Sequence, residues 1–344
     1  MKKGRAAKLR NFGWVFCMLI LIGSLMLVPF GAAQEWPTKT ITLIYGGAAG
    51  SVGDLSTRIV VDEMSKILGV PIVVVNMPGA GGGIGVHHAF SQPADGYTWH
   101  SQGSAFRTFA TMGTHPAKPT DWHVLSTVTF VTAISVRADS PYKTFPDLVA
   151  ALKKNPGKIP YSAAMPGTAY RLAMEVMKGA TGLSAKFVTY TGSAPSGLAV
   201  LTGDVEFCSL GVGETIELVR GKKLRPLTVF DTKPYNLEGF GEIPPITNYL
   251  PELKAHLPYQ GWMMITMRAD IPKPILKKID EAFLKAVKSK ALQEFSVSKH
   301  APILGLAGDE GQEYFLKYVR RESYMVYDLG LAKHDPANFG ILRP

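Results

Sequence analysis

The sequence predicts an α/β fold with mostly parallel sheets flanked by helices. Short apolar runs rich in β-branched residues alternate with helix-like runs along most of the chain. Loops of small residues stand between several of these runs, where a strand would lead into a helix. The 344 residues are 46% hydrophobic and 19% charged, which is the balance of a chain that buries a core. That length is enough for two ordinary domains.

The first part of the chain contains the predicted strands 41–45, 71–76, 96–101 and 128–136. Its predicted helices are 54–68 and the run VHHAFSQ, which follows the loop NMPGAGGGIG. The last of these strands, VTFVTAISV, is long and rich in the β-branched residues that strands favour. The segment therefore alternates strand and helix, as a parallel sheet requires.

The middle of the chain continues this alternation. A helix is predicted over 144–156, where Thr144 suits the N-cap and Asp147 the third helical position. The further strands are IPYSAA, AKFVTY, VEFCSL and LRPLTVF, and the helices are YRLAMEVMKGA, SGLAVLTG and 213–220. The last predicted elements are a strand at 261–269 and two amphipathic helices at 274–289 and 309–328.

Three loops of small residues follow predicted strands, at 46–54, 163–169 and 191–196. Ligands of open α/β sheets bind beyond the carboxyl ends of strands, so we expect these loops to form one site joining two lobes. Backbone N–H groups at a helix start attract an anion, and Ser51 and Thr168 add hydroxyl donors. Asp54 suits an N-cap, where it braces its own helix, and a direct ligand contact is the alternative.

Sequence motifs for catalysis and for cofactor binding are absent. The Gly-rich loops lack GxGxxG in register, and GxxxxGK[ST] does not occur, so no nucleotide cofactor is expected. No GxSxG elbow occurs, and Ser193 has no recognisable base partner, so we expect no enzyme. The histidines lack metal-ligand spacing, and no basic stripe is interleaved with aromatics, so neither metal nor nucleic acid is expected. Glu214 and Glu217 are interpreted as a solvated helix face.

Residues 1–33 have the order of an export signal peptide. The basic segment MKKGRAAKLR precedes the apolar run WVFCMLILIGSLMLVPF, and small residues allow cleavage after Ala33. The apolar run is at the short limit for crossing a bilayer, so an uncleaved anchor is the alternative. Cleavage would remove five basic residues and lower the formal charge from +10 to +5. It would leave Cys208 as the only cysteine, in a pattern that predicts a packed thiol.

Several segments of the chain follow, in order, the pattern of one protein family. They include WPTKTITLIYGGAAGSVGD, LGVPIVVVNMPGAGGGIG, ADGYT and VTYTGSAPSGLAVLTGDVE. These segments resemble the first loop, the Asn-Arg-Pro-Gly-Ala-Gly-Gly loop, the Pro-Asp-Gly-Tyr-Thr turn and the Pro-Tyr-Lys-Gly-x-Ala-Pro segment of Bug-type proteins. Bug-type proteins are the periplasmic solute receptors of tripartite tricarboxylate transporters. The resemblance extends from about residue 36 to the C-terminus.

This resemblance implies a two-lobed, type II-like periplasmic binding protein that closes by a hinge on a ligand cleft between its lobes. Lobe 1 is expected over 34–136 plus 260–344, and lobe 2 over 137–259. The family captures a small organic acid, usually a carboxylate, and delivers it to integral membrane permease subunits without catalysis. We therefore expect a monomeric periplasmic receptor. A periplasmic sensor that presents the same ligand class to a signalling receptor is the alternative.

The resemblance and the loop arguments together give the predicted ligand-binding residues. They are Tyr45, Ala49, Gly50, Ser51, Val52, Gly53, Asp54, Ser104, Arg107, Ala164, Gly167, Thr168, Arg171, Tyr190, Ser193 and Ala194. Gly47 replaces an aromatic wall residue of the family pattern, and Arg107 or Arg171 is expected to supply a fork for a carboxylate. With Tyr45 and Phe106 lining a wider apolar cleft, an aromatic or bulky acid is expected to fit better than citrate.

Overall fold

The computed structural model of the protein describes residues 35–165 and 167–344. Residues Lys39–Pro344 form one compact unit, and residues 35–38 before it contain neither helix nor strand. The predicted export signal at 1–33 lies outside the described residues. Within the described ranges, no helix combines the length and the apolar content needed to cross a bilayer.

The strands of this unit lie mostly where the sequence predicts them. They are β1 (Ile41–Tyr45), β2 (Ile72–Asn76), β3 (Thr98–Gln102), β4 (Trp122–Arg137), β5 (Pro160–Ser162), β6 (Lys186–Val188), β7 (Phe207–Gly211), β8 (Leu224–Val229), β9 (Tyr235–Leu237), β10 (Gly241–Ile243), β11 (Gln260–Arg268) and β12 (Ile303–Leu306). The sequence pattern does not predict β9, β10 and β12, because each is too short to show a periodicity.

Helices follow most of the strands, as the alternation predicts. They are α1 (Val52–Leu68), α2 (Gly83–Phe90), α3 (Phe145–Lys154), α4 (Ala169–Thr181), α5 (Ser193–Thr202), α6 (Val212–Arg220), α7 (Lys273–Ala286), α8 (Lys290–Lys299) and α9 (Gly308–Asp328). α3 begins where predicted, and the N–H of Thr144 donates to the Asp147 carboxylate at 2.8 Å. The sequence does not predict α8, because only Leu292 and Phe295 are buried on it and its helical periodicity is weak.

One ten-stranded sheet passes through the unit in the order β2-β1-β3-β11-β4-β7-β5-β6, with β8 and β12 also paired to β4. β1 pairs in parallel with β2 and β3, and β5 pairs in parallel with β6 and β7. The strands β11 and β4 join these two groups by antiparallel pairing. The predicted α/β class is confirmed, but the sheet is mixed, not mostly parallel. Strands buried on both faces show the same apolar pattern in either direction, so the sequence does not reveal their orientation.

Strand β4 extends through both halves of the sheet and is longer than the predicted 128–136. Residues 122–131 of β4 pair with β11, whereas residues 132–137 pair with β7 and β8. The sheet therefore has two parallel groups connected by a shared strand. The predicted boundaries of the two lobes remain a prediction, because the chain from Lys39 onward forms one compact unit.

The parallel strands of each group end beside one another. β1 ends at Tyr45 beside Ser101 of β3, and β5 ends at Ser162 beside Cys208 of β7. Parallel strands share one direction, so their carboxyl ends lie at one edge of the sheet. The loops that lead into α1, α4, α5 and α6 leave from these edges.

Candidate functional site

A cavity of about 150 Å³ lies where the loops after β1, β5 and β6 meet. Ten of the predicted ligand-binding residues line it: Tyr45, Ala49, Gly50, Ser51, Gly53, Ser104, Ala164, Thr168, Ser193 and Ala194. Six lie outside the lining: Val52, Asp54, Arg107, Gly167, Arg171 and Tyr190. The fold thus brings the three predicted loops together, and ligand contact by these residues remains a prediction.

Tyr45 and Ser51 shape the first loop. Ser51 is the N-cap of α1, and its Oγ accepts a hydrogen bond from the N–H of Asp54 at 3.2 Å. The hydroxyl of Tyr45 lies 3.1 Å from the same Oγ. A side chain at Gly47 would place its Cβ 2.8 Å from Cε1 of Tyr45, so the tyrosine ring fills the space of the missing wall. Burial raises the pKa of Tyr45, which therefore remains a neutral hydrogen-bonding group.

Asp54 braces this loop and does not line the cavity. It is the third residue of α1, not the predicted N-cap, because Ser51 takes that position. Its carboxylate accepts hydrogen bonds from the N–H of Gly50 at 2.9 Å, from Nε of Arg58 at 3.0 Å and from Nδ2 of Asn76 at 2.9 Å. Burial alone would raise the pKa of Asp54, but these hydrogen bonds outweigh it and hold the pKa below its ordinary value.

Arg107 lies behind the cavity wall and not in the lining. Its buried Nε is 2.9 Å from a carboxylate oxygen of Glu322, and its guanidinium is 4.3 Å from the ring of Trp262. The same Nε donates to the backbone oxygen of Ser104 at 3.2 Å, so the contact with Glu322 is ionic. Burial still raises the pKa of Glu322 to about 7. Arg107 therefore neutralises a buried acid and supports the wall residue Trp262.

Arg171 is also engaged away from the cavity. It lies in the first turn of α4, where it forms an ion pair with Glu175. Its Nη1 donates to the hydroxyl of Tyr161 at 2.7 Å, and its guanidinium lies 4.6 Å from the ring of Phe187. Each of the two guanidinium groups forms an ion pair with a glutamate, and neither arginine lines the cavity. The expected carboxylate fork therefore does not extend into the cavity.

The apolar wall of the cavity comes from residues that sequence reasoning missed. Phe130, Trp262 and Met263 line it from β4 and β11. They lie within strands, where no loop or cap pattern marks them. Phe106, expected as a wall residue, packs 5.0 Å from the ring of Trp122 in an aromatic core. The expected wider cleft is therefore not formed by Phe106.

Serine side chains tie the second and third loops to their neighbours. The Oγ of Ser104 accepts a hydrogen bond from the N–H of Ala169, the first residue of α4, at 3.0 Å. The Oγ of Ser196 accepts from the N–H of Ala164 at 3.1 Å and donates to the backbone oxygen of Gly192 at 2.8 Å. These bonds position the starts of α4 and α5, and residues at the starts of α1, α4 and α5 line the one cavity. Helix starts carry partial positive charge, so this arrangement suits an anion.

Glu214 is a charged cavity residue that sequence reasoning missed. It is the third residue of α6, and the predicted solvated face holds only for Glu217, whose side chain is 63% exposed. The Glu214 carboxylate accepts hydrogen bonds from the N–H of Gly211 at 3.3 Å and from the hydroxyls of Tyr170 and Ser193. Burial raises the pKa of Glu214 to about 7, and these hydrogen bonds limit the rise. Its position three residues after Gly211, where β7 ends, indicates a helix start, but no local pattern indicates that Glu214 lines the cavity.

The cavity lining is almost free of charged side chains. Among the described residues that line it, Glu214 is the one charged side chain, and none is Lys, Arg or His. Over residues 35–165 and 167–344, no cluster of His, Cys, Asp or Glu could hold a metal ion. Cys208 is a buried free thiol, as predicted, and burial raises its pKa to about 12, so it stays protonated.

Comparison with known proteins finds relatives over most of the chain. The sequence model described as a tripartite tricarboxylate transporter family receptor matches residues 56–330. The UPF0065 protein in the gbd 5' region of Cupriavidus necator is 28% identical over 307 residues, which are 88% of this chain and 90% of that protein. A structure described as a periplasmic transporter has a TM-score of 0.73 and 26% identity, over 86% of this chain and 97% of that chain. MatC from Rhodopseudomonas palustris, solved with bound malate, has a TM-score of 0.73 and 18% identity, over 86% and 99%.

Proposed function

This chain belongs to the tripartite tricarboxylate transporter receptor family, and from that membership we propose that it captures a small organic carboxylate and delivers it to a membrane permease. The family consists of solute receptors and not of enzymes, and the structural relatives share the two-lobed binding-protein fold. The observation that carries the proposal is the meeting of three helix starts at one cavity.

The starts of α1 and α5 are the proposed anchors for the ligand carboxylate. Gly53 and Ala194, in the first turns of these helices, line the cavity. Backbone N–H groups in a first turn have no partner within the helix, and their partial positive charge favours an anion. Ser51 adds a hydroxyl group beside Gly53. The malate bound to the related MatC supports this ligand class.

The proposed location is extracytoplasmic, on the basis of the predicted signal at 1–33 and the family match. Cleavage after Ala33 is part of that proposal. The proposed lobes are 34–136 plus 260–344 and 137–259, which close on the ligand by a hinge as a monomer. A cavity of about 150 Å³ is roughly what a benzene-sized molecule needs, so we propose a small ligand and not the bulky acid expected from the sequence.

Ligand binding by a cavity-blocking variant tests this proposal. Ala194 lines the cavity and is exposed, so Ala194→Trp should fill the site without disturbing the core. Leu198→Trp is the matched control, because Leu198 is 57% exposed on the same helix and lies outside the cavity lining. A panel of mono-, di- and tricarboxylates would be screened by thermal shift and measured by calorimetry. A ligand at about 100 Kd should add roughly 2.7 kcal/mol of stability to the wild type.

We expect at least one acid to bind the wild type and Leu198→Trp alike and to lose about tenfold or more in affinity with Ala194→Trp. Binding of no acid, or equal binding by both variants, would contradict the proposal. The transport step needs a cellular measurement. Cells of the native host that lack this chain should lose uptake of the radiolabelled acid, and expression of the wild type, but not of Ala194→Trp, should restore it.

A further inference from the structure

We propose that the cavity binds a small organic acid that also carries an ammonium group, with the carboxylate at the starts of α1 and α5 and the ammonium at Glu214. This inference rests on the proposed function and specifies its ligand. It starts from an acidic side chain in a cavity whose helix starts favour an anion. The cavity lining therefore combines an acidic side chain with helix starts that favour an anion.

Glu214 is fixed in place by neutral donors. Its carboxylate accepts hydrogen bonds from the N–H of Gly211 and from the hydroxyls of Tyr170 and Ser193. A Cβ at Gly211 would lie 2.8 Å from the Tyr170 hydroxyl and 3.3 Å from Oε2 of Glu214, so this junction is closely packed. The carboxyl group of Glu214 thus lies in the cavity lining beside donors that carry no charge.

The cap at the start of α6 does not account for the charge of Glu214. A glutamine at this position could also accept the N–H of Gly211, through its amide oxygen, as glutamine does in other helix caps. The protein provides no cation beside this carboxylate within the cavity lining that the structure describes. The two nearby candidates, Arg107 and Arg171, are paired with Glu322 and Glu175 instead. The charge is therefore left for a ligand to neutralise.

The charge of Glu214 is also costly without a ligand. Burial raises its pKa to about 7, so near neutral pH the empty site holds a partly protonated carboxyl. Tyr45, Tyr170 and Cys208 interact with it electrostatically, and burial raises the pKa of each, so all three stay neutral. Lys299, from the neighbouring α8, is paired with Glu217 on the exposed side.

A bound ammonium group would favour the ionised carboxylate and release a proton, whereas a second ligand carboxylate at the same place would require proton uptake. The direction of proton exchange on binding therefore distinguishes the two classes of ligand. It can be measured by calorimetry at pH 7 in two buffers with different ionisation enthalpies.

The probes are matched pairs: 3-aminopropanoate with succinate, 4-aminobutanoate with glutarate, and 5-aminopentanoate with adipate. In each pair a carboxylate replaces the ammonium on the same carbon chain. The variants are Glu214→Gln, which keeps the size and the cap, and Glu217→Gln, an exposed control on the same helix. Thermal unfolding of each variant checks that it folds.

We expect the wild type to bind at least one amino acid about tenfold or more tightly than its dicarboxylate partner, with proton release. Glu214→Gln should remove that preference, and Glu217→Gln should keep it. Tighter binding of every dicarboxylate, proton uptake, or an unchanged preference in Glu214→Gln would overturn the inference while leaving the carboxylate receptor intact. Failure of all acids, including the wider panel, would instead refute the proposed function.

Discussion

Asp54 and Glu214 occupy the same position in two helices, yet their pKa values shift in opposite directions. Each is the third residue of a helix that follows a strand, and each accepts a backbone N–H at the helix start, from Gly50 and Gly211. The pKa of Asp54 lies below its ordinary value, whereas that of Glu214 is raised to about 7. Asp54 hydrogen-bonds to Arg58, whereas the donors to Glu214 are all neutral.

A helix start therefore does not by itself set the charge state of a nearby carboxyl group. The partial charge of a helix end contributes about 0.3 to 1 kcal/mol at a surface site, which desolvation can exceed. Hydrogen bonds from the guanidinium of Arg58 and the amide of Asn76 lower the pKa of Asp54 by more than burial raises it. Asp54 is therefore a brace behind the loop, while Glu214 remains available to a ligand.

The largest expected effect comes from removing the brace. Asp54→Ala deletes a buried carboxylate with three donors, so we expect a loss of about 3 kcal/mol in the free energy of unfolding at pH 7. Urea unfolding measures it. Asp62→Ala, on the exposed side of the same helix, is the control and should change the midpoint little. Similar midpoints for the two variants would contradict the bracing role.

Glu214→Gln should raise the free energy of unfolding at pH 8, whereas Asp54→Ala lowers it at pH 7. The carboxyl has a folded pKa of about 7 against an ordinary 4.5, so between these values the folded state binds more protons than the unfolded state. Wild-type stability therefore falls as pH rises through this window. At pH 8 the variant should be more stable than the wild type by up to about 3 kcal/mol, and below pH 4 the gain should vanish. Urea unfolding at both pH values measures this, and a pH-independent difference would contradict it.

We expect the smallest change in stability when Asp54 loses its cationic partner, so that it has only neutral donors, as Glu214 does. Arg58→Met removes the cation but keeps the donors Gly50 and Asn76. Arg58 is more than a third exposed, so solvent screens the pair and we expect a loss of about 1 kcal/mol at pH 7. Because the pKa of Asp54 is lower in the folded state than in the unfolded state, its ionisation stabilises the fold at pH values above the unfolded pKa. This contribution to the free energy of unfolding is lost as acid protonates the carboxylate. The variant should therefore lose less stability than the wild type between pH 5 and 2, with the exposed Lys66→Met as control.

Much of the fold was predictable because its signals are local. The run ITLIY gives β1 with its observed bounds, and Thr144 with Asp147 marks the start of α3. The small-residue loops at 46–54, 163–169 and 191–196 supply more than half of the residues that line the cavity. They could be predicted because the pattern of a strand, a small-residue loop and a helix lies within one short stretch of sequence. The antiparallel placement of β4 and β11 was not predictable, because strand direction depends on pairing between distant segments.

The α/β class, the order of strand, loop and helix, and the family can all be read from the sequence, because each is encoded in the spacing of neighbouring residues. Which charged side chains reach the cavity, in contrast, depends on the tertiary fold. Arg107 forms an ion pair with Glu322, which lies in α9 near the C-terminus. Glu214 interacts with Tyr170 of α4 and Ser193 of α5. Charge state depends on desolvation and on partners across the fold, which no local pattern reveals.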